Sequence, residues 1–82
     1  MALNDTTRQS IGMDTLRKKF GNNVVSLRKE RGISQEELAD LCGVARSYMS
    51  RVERGQANPS LDAIEKIAAG LDILPSMLFR NV

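Results

Sequence analysis

The sequence has no histidine, no tryptophan and a single cysteine, Cys42. Without histidine there is no imidazole to hold a metal or to act as a general base. With one cysteine an internal disulfide is impossible. Aromatic side chains are confined to Phe20, Tyr48 and Phe79. Any core must therefore be built from Leu, Ile, Val, Ala and Met. No apolar run reaches membrane-spanning length and no secretory leader is recognisable, so a cytoplasmic protein without membrane contact is expected. The chain also offers no plausible nucleophile–base pair and no phosphate-cradling glycine-rich loop. These gaps point away from an enzyme and from any cofactor.

What is present fits one small domain of 82 residues. Residues 1–13 are polar and lack apolar periodicity, which predicts a flexible arm. Residues 14–82 read as the folded unit. A net charge of +2 is weak evidence for any partner, but its distribution is uneven. Residues 16–31 carry Arg17, Lys18, Lys19, Arg28, Lys29 and Arg31 against Glu30. Residues 43–58 carry Arg46, Arg51 and Arg54 against Glu53, while Glu36, Glu37 and Asp40 lie between the two basic stretches. An ordinary solvated charge pattern would explain this about as well as nucleic acid does.

Apolar periodicity predicts helices throughout and no strand. Leu16, Phe20, Val24 and Leu27 form one stripe over residues 15–31, with Asp14 as candidate N-cap and Gly32 as stop. Gly21, Asn22 and Asn23 weaken that helix, so packing must hold it. Ser34 with Glu37 forms a capping box for a second helix that buries Leu38, Ala39 and Cys42. Gly43 ends it, because the reversal that follows needs positive φ. A third helix covers residues 46–54. Ser60 caps a fourth, with Leu61, Ile64, Ile67, Ala68 and Leu71 as its apolar stripe, and Pro75 opens a short fifth over residues 75–79. The expected fold is an all-α, compact five-helix bundle.

Residues 35–54 carry the functional signal: a short helix, a tight turn at Gly43 and a second helix, the layout of a helix-turn-helix. At ~100° per residue, Met49, Val52 and Glu53 share the inner side of the third helix, next to Ala45. Ser47, Ser50, Arg51 and Arg54 share the outer side, flanked by Arg46 and Tyr48. That outer face is small, polar and basic. It suits the major groove of B-DNA, about 12 Å wide, where an arginine can donate two bonds to one guanine.

Together with Val24-Val25-Ser26-Leu27-Arg28, Ser34-Gln35-Glu36-Glu37-Leu38-Ala39, Gly43-Val44, Asn58-Pro59-Ser60-Leu61 and Pro75-Ser76-Met77-Leu78-Phe79, the run from Ser47 to Gly55 resembles the Xre and Cro/C1-type helix-turn-helix regulators. The Arg-Ser-Tyr opening and the size are similar to controller proteins of restriction–modification systems. The resemblance implies a lambda-repressor-like domain that binds a double-stranded DNA operator as a homodimer on paired half-sites. It implies base contacts from Arg46, Ser47 and Arg51, and backbone or edge contacts from Gln35, Tyr48, Ser50, Arg54 and Gln56. It also implies a structural ion pair between Arg28 and Glu53. RNA polymerase is a further candidate partner.

Three positions depart from the family's pattern. Ala45 stands where Ser or Thr caps the third helix, Asp72 where Gly is common, and Met77 where Glu is frequent. The last helix, with Ile73, Leu74, Met77, Leu78 and Phe79, offers more apolar groups than five residues can bury internally, which suggests a dimer patch. The alternative is that these residues only close the core. An antitoxin-type interaction module with secondary DNA binding is the competing function, although the spare segment, residues 1–12, is short and polar. Cys42 and the methionines read better as packing groups than as redox or metal sites.

Overall fold

A computed structural model describes residues 15–82. The expected arm, residues 1–13, and the candidate cap Asp14 lie outside the described residues. Four α-helices follow in order among the described residues: α1 (Leu16–Glu30), α2 (Gln35–Cys42), α3 (Arg46–Glu53) and α4 (Leu61–Leu71). The fifth element, Pro75–Phe79, is a 3₁₀ helix rather than an α-helix.

Local chemistry sets most of the boundaries. Thr15 Oγ1 accepts from the Lys18 N–H at the start of α1. At α2, Ser34 Oγ accepts from the Glu37 N–H at 3.0 Å, and the Glu37 carboxylate accepts from the Ser34 N–H at 2.7 Å, closing a capping box. The Ser34 backbone N–H first, and its hydroxyl second, hold the Glu37 carboxyl below its ordinary value of 4.5. This depressed carboxyl favours the folded form above that value, and its contribution disappears as the pH falls through the lowered one. Ser60 Oγ caps α4 through the Ala63 N–H. Asp72 takes the left-handed conformation after α4, with φ 57°.

The core gathers Phe20, Val24 and Leu27 from α1, Leu38, Ala39 and Cys42 from α2, and Met49 and Val52 from α3. Ala57, then Ile67, Ala68 and Leu71 from α4, and Leu78 complete it. Each fully buried Leu, Ile, Val or Met side chain contributes about 1.5–3 kcal/mol. Three apolar residues fall elsewhere than expected. Leu16, placed in the apolar stripe of α1, is 58% exposed at the first turn of that helix. Leu61 is 80% exposed, because the first turn of α4 overhangs the edge of the core. Leu78, expected in the dimer patch, is completely buried, so it belongs to the core and leaves the patch. The 3₁₀ winding of three residues per turn points it inward.

The weak sequence inside α1 has a purpose in packing. A Cβ on Gly21 would strike the carbonyl oxygens of Val52 and Glu53, the latter at 2.8 Å. Only glycine lets α1 approach the backbone of α3 this closely. Two residues on, Asn23 Nδ2 donates to the Leu78 and Arg80 carbonyls, both at 2.9 Å, and satisfies the end of the 3₁₀ helix. Phe20 and Phe79 meet nearby with ring centroids 5.2 Å apart. Cys42 is buried against α4, close to Gly70, and burial pushes its thiol up to about 11. It is a packing group with little thiolate at neutral pH.

Helix propensity alone predicts that Gly21→Ala stabilises α1 by ~1 kcal/mol. The clash with rigid backbone should outweigh that gain, since overpacking costs ~1–3 kcal/mol or more. Gly21→Ala should therefore lower Tm, while Ala at the exposed neighbour Asn22 should leave it unchanged or raise it. Equal behaviour of the two variants in thermal melts would refute the close approach.

Candidate nucleic-acid interface

Gly43 adopts φ 73° and ends α2, and its N–H and that of Val44 return to carbonyls of the α2 last turn. The chain then re-enters a helix at Arg46. Ala45, the N-cap of α3, makes no side-chain capping bond. A missing cap costs ~0.5–2 kcal/mol. Met49 and Val52, at 0% and 2% exposure, outweigh that loss and anchor α3 on the core.

The other side of α3 faces solvent. Arg46, Ser47, Arg51 and Arg54 are exposed, and Ser50 is half-buried. With Gln35 at the start of α2, these five residues line one open groove of about 300 Å³. Tyr48 is half-buried against the core and Gln56 is exposed on the following loop; neither lines the groove. Arg54 is tethered by its Nε–H to the Ser50 carbonyl, 3.3 Å away. The Arg51 guanidinium lies over the Tyr48 ring, 5.5 Å from its centroid.

A carboxylate directly beneath this surface organises it. Glu53 is on the inner side of α3, with its side chain 5% exposed. Arg28 Nε donates to Oε2 at 2.7 Å and Nη2 donates to Oε1 at 3.1 Å, while Nη1 donates to the Ile33 carbonyl at 3.0 Å. Gln35 Nε2 donates to Oε1 at 3.0 Å. One carboxylate thus ties α1, α2 and α3 together. Among the described residues no buried side-chain nitrogen or oxygen lacks a partner. Arg28 offsets Glu53, and among the described residues no carboxylate pairs with Arg46, Arg51 or Arg54 on the groove. Gln35 uses one amide hydrogen on Glu53 and keeps a second for another acceptor.

Three contacts had little or no signal in the sequence. The Gln35–Glu53 bond joins residues 18 apart and follows no periodicity. Arg31 Nη1 donates to the Leu71 carbonyl, closing α4 from 40 residues away. The Tyr48–Arg51 stack had a signal that sequence reasoning passed over, since residues three apart share a helix face.

The helix-turn-helix family model matches residues 25–78. The chain belongs to this helix-turn-helix family. Its members are DNA-binding transcriptional regulators rather than enzymes, and the fold is that of a lambda-repressor-like domain. The control protein C.MunI of a Mycoplasma species is 42% identical over 71 residues, covering 85% of this chain and 96% of that protein. The HTH-type transcriptional regulator SinR of Bacillus subtilis is 48% identical over 55 residues, 66% of this chain and 50% of SinR. The restriction-modification controller protein C.AhdI of Aeromonas hydrophila superposes with a TM-score of 0.75 and 52% identity, over 77% of this chain and 96% of that one. Among the described residues of this helix-turn-helix protein, no helix is long and apolar enough to cross a membrane.

Breaking the network under the groove should be costly. Glu53→Gln or Arg28→Met alone should destabilise the fold by up to ~3–5 kcal/mol, since each leaves a buried charge unpaired. The double variant should lose less than the sum of the two. Strict additivity in denaturant melts would mean that the pair does not interact.

Proposed function

We propose that this chain is a sequence-specific transcriptional regulator that binds paired operator half-sites as a homodimer. Similarity to C.MunI and C.AhdI supports control of a restriction–modification system as its role. The observation that carries the reading is the groove on α3 and Gln35: three arginines and two serines on the exposed face of the second helix of a helix-turn-helix. In this reading α3 lies in the major groove. Arg46, Ser47 and Arg51 face base edges; Gln35, at a helix N-terminus, takes a phosphate, and Ser50, Arg54, Tyr48 and Gln56 flank the site. One such helix spans few base pairs, so two copies about one helical turn apart supply the remaining affinity. RNA polymerase at the same promoter is the next partner such a complex meets.

Leu74 at 68% exposure supports the dimer, together with the half-buried Ile73, Met77 and Phe79 beside it. Leu74→Asp or Met77→Asp should give helical monomers that lose cooperative operator binding. Leu61→Asp, at the far end of α4, should not. A dimer that survives the first two substitutions in sedimentation places the interface elsewhere.

Selection from random DNA should recover a two-fold symmetric operator. If the dimer makes ~6–10 phosphate contacts, affinity should fall ~10³–10⁵-fold between ~50 and ~200 mM salt. Against single-base operator variants, Arg46→Ala and Arg51→Ala should each cost ~1–3 kcal/mol per half-site and flatten preference at particular base pairs. Gln35→Ala should weaken all variants equally. Salt-independent binding, or recovery of no preferred sequence, would overturn the reading.

A further inference from the structure

We infer that Tyr48 is a positioning residue for sequence readout: its ring is a fixed platform that holds the Arg51 guanidinium in place over the groove. The inference rests on the DNA-binding reading above and adds a specificity role to a residue placed there only at the edge of the site.

The arginines at the groove are held in different ways. Arg54 is tied by its Nε–H to the Ser50 carbonyl, one turn back. Arg46 opens α3 beside the uncapped Ala45. Arg51 lies in the last turn of the same helix, and its guanidinium sits over the Tyr48 ring, 5.5 Å from the centroid. The ring is not itself a loose surface group. Tyr48 is half-buried and packs against the hydrophobic core, so one part of it is anchored while a face stays open to the cation. The three-residue spacing puts the two side chains on adjacent turns of one face. A guanidinium is planar and weakly hydrated, and it stacks on an aromatic face without giving up its in-plane N–H donors. Those donors are the groups that would bond two acceptors of one base.

The physical consequence is preorganisation. An exposed arginine has many rotamers, and fixing it on binding is unfavourable. A stacked arginine has already lost much of that freedom, so less is lost when it meets its base. Repulsion from Arg46 and Arg54, which line the same groove, would otherwise spread the guanidinium outward. Tyr48 would in this way act on base discrimination without touching a base.

The test compares Tyr48→Phe, which keeps the ring, with Tyr48→Leu, which removes it. In the free protein, side-chain protons of Arg51 should show ring-current shifts by NMR in the parent and in Tyr48→Phe, and lose them in Tyr48→Leu. Against single-base operator variants, Tyr48→Leu should weaken binding to the preferred sequence about 2–5-fold per half-site, the range for an exposed cation–π contact. The loss should be confined to the base pairs that Arg51→Ala flattens. In an Arg51→Ala background it should change nothing at those pairs, and Tyr48→Phe should retain parental discrimination. Absent ring-current shifts in the parent would overturn the platform. So would a uniform loss across all operators in Tyr48→Leu, or equal behaviour of the Phe and Leu variants, which would make the hydroxyl the acting group. If the parent itself selects no DNA sequence, the functional reading fails and this inference fails with it. A parental preference unaltered by Tyr48→Leu removes the platform alone.

Discussion

Glu53 is the group on which the geometry of the molecule turns. It places a carboxylate on the buried side of α3, where charge without partners would be expensive. The carboxylate accepts two bonds from Arg28 on α1 and one from Gln35 at the start of α2. Whether such a pair adds net stability over an apolar substitute is secondary. Its geometric effect is plain. Apolar packing tolerates small slides and rotations, whereas a bidentate guanidinium and an amide aimed at one carboxylate do not. Rotating α3 by a fraction of a turn would break three directed bonds at once. The face that α3 shows to solvent is therefore set from beneath, by residues that contribute nothing to that face except Gln35.

Close backbone approach does the same work without charge. Gly21 lets α1 press onto the carbonyls of Val52 and Glu53, which stand in sequence between the groove residues Arg51 and Arg54. The cost is a glycine in the middle of a helix, ~1 kcal/mol relative to alanine. The absent cap at Ala45 is a comparable local loss. Both are small beside the burial of Met49, Val52, Leu38 and Ile67. A domain of this size has little stability to spare, and its local weaknesses sit where α3 is held by tertiary contacts instead.

The parts of this arrangement that were legible in the sequence are the local ones. Caps at Ser34 and Ser60 and the turn at Gly43 are decided within a few residues, and four-residue spacing reveals an apolar stripe directly. The outer and inner faces of α3 follow from the same wheel. Leu61 shows the limit of that method: its phase on α4 is right, but a wheel does not say where the core ends along the axis. Leu78 shows another: counting apolar groups in the last helix does not say which of them the core takes, and Leu78 is fully buried. The bonds from Asn23 to Leu78, from Arg31 to Leu71 and from Gln35 to Glu53 join residues far apart in sequence. No periodicity marks them. The Arg28–Glu53 pair was reached only through resemblance to a family, not from spacing.

The division of labour across α3 explains why a helix of eight residues can suffice. Its inner residues, Met49, Val52 and Glu53, are buried and bonded, so they leave the helix few ways to move. Its outer residues are short hydroxyls and long cations, which satisfy themselves in water and demand nothing from the fold. Substituting on the outside can then alter the exposed face with little effect on whether the chain folds. Substituting Glu53 does the reverse, disturbing the scaffold while leaving every outward side chain chemically intact. Tyr48 and Gln35 stand at the boundary between the two sets. Each has one part committed to the interior, a ring packed on the core or an amide hydrogen given to Glu53, and another part open to solvent. Through such residues the rigidity of the interior reaches the contact surface: a side chain anchored at one end gives direction to whatever it meets at the other.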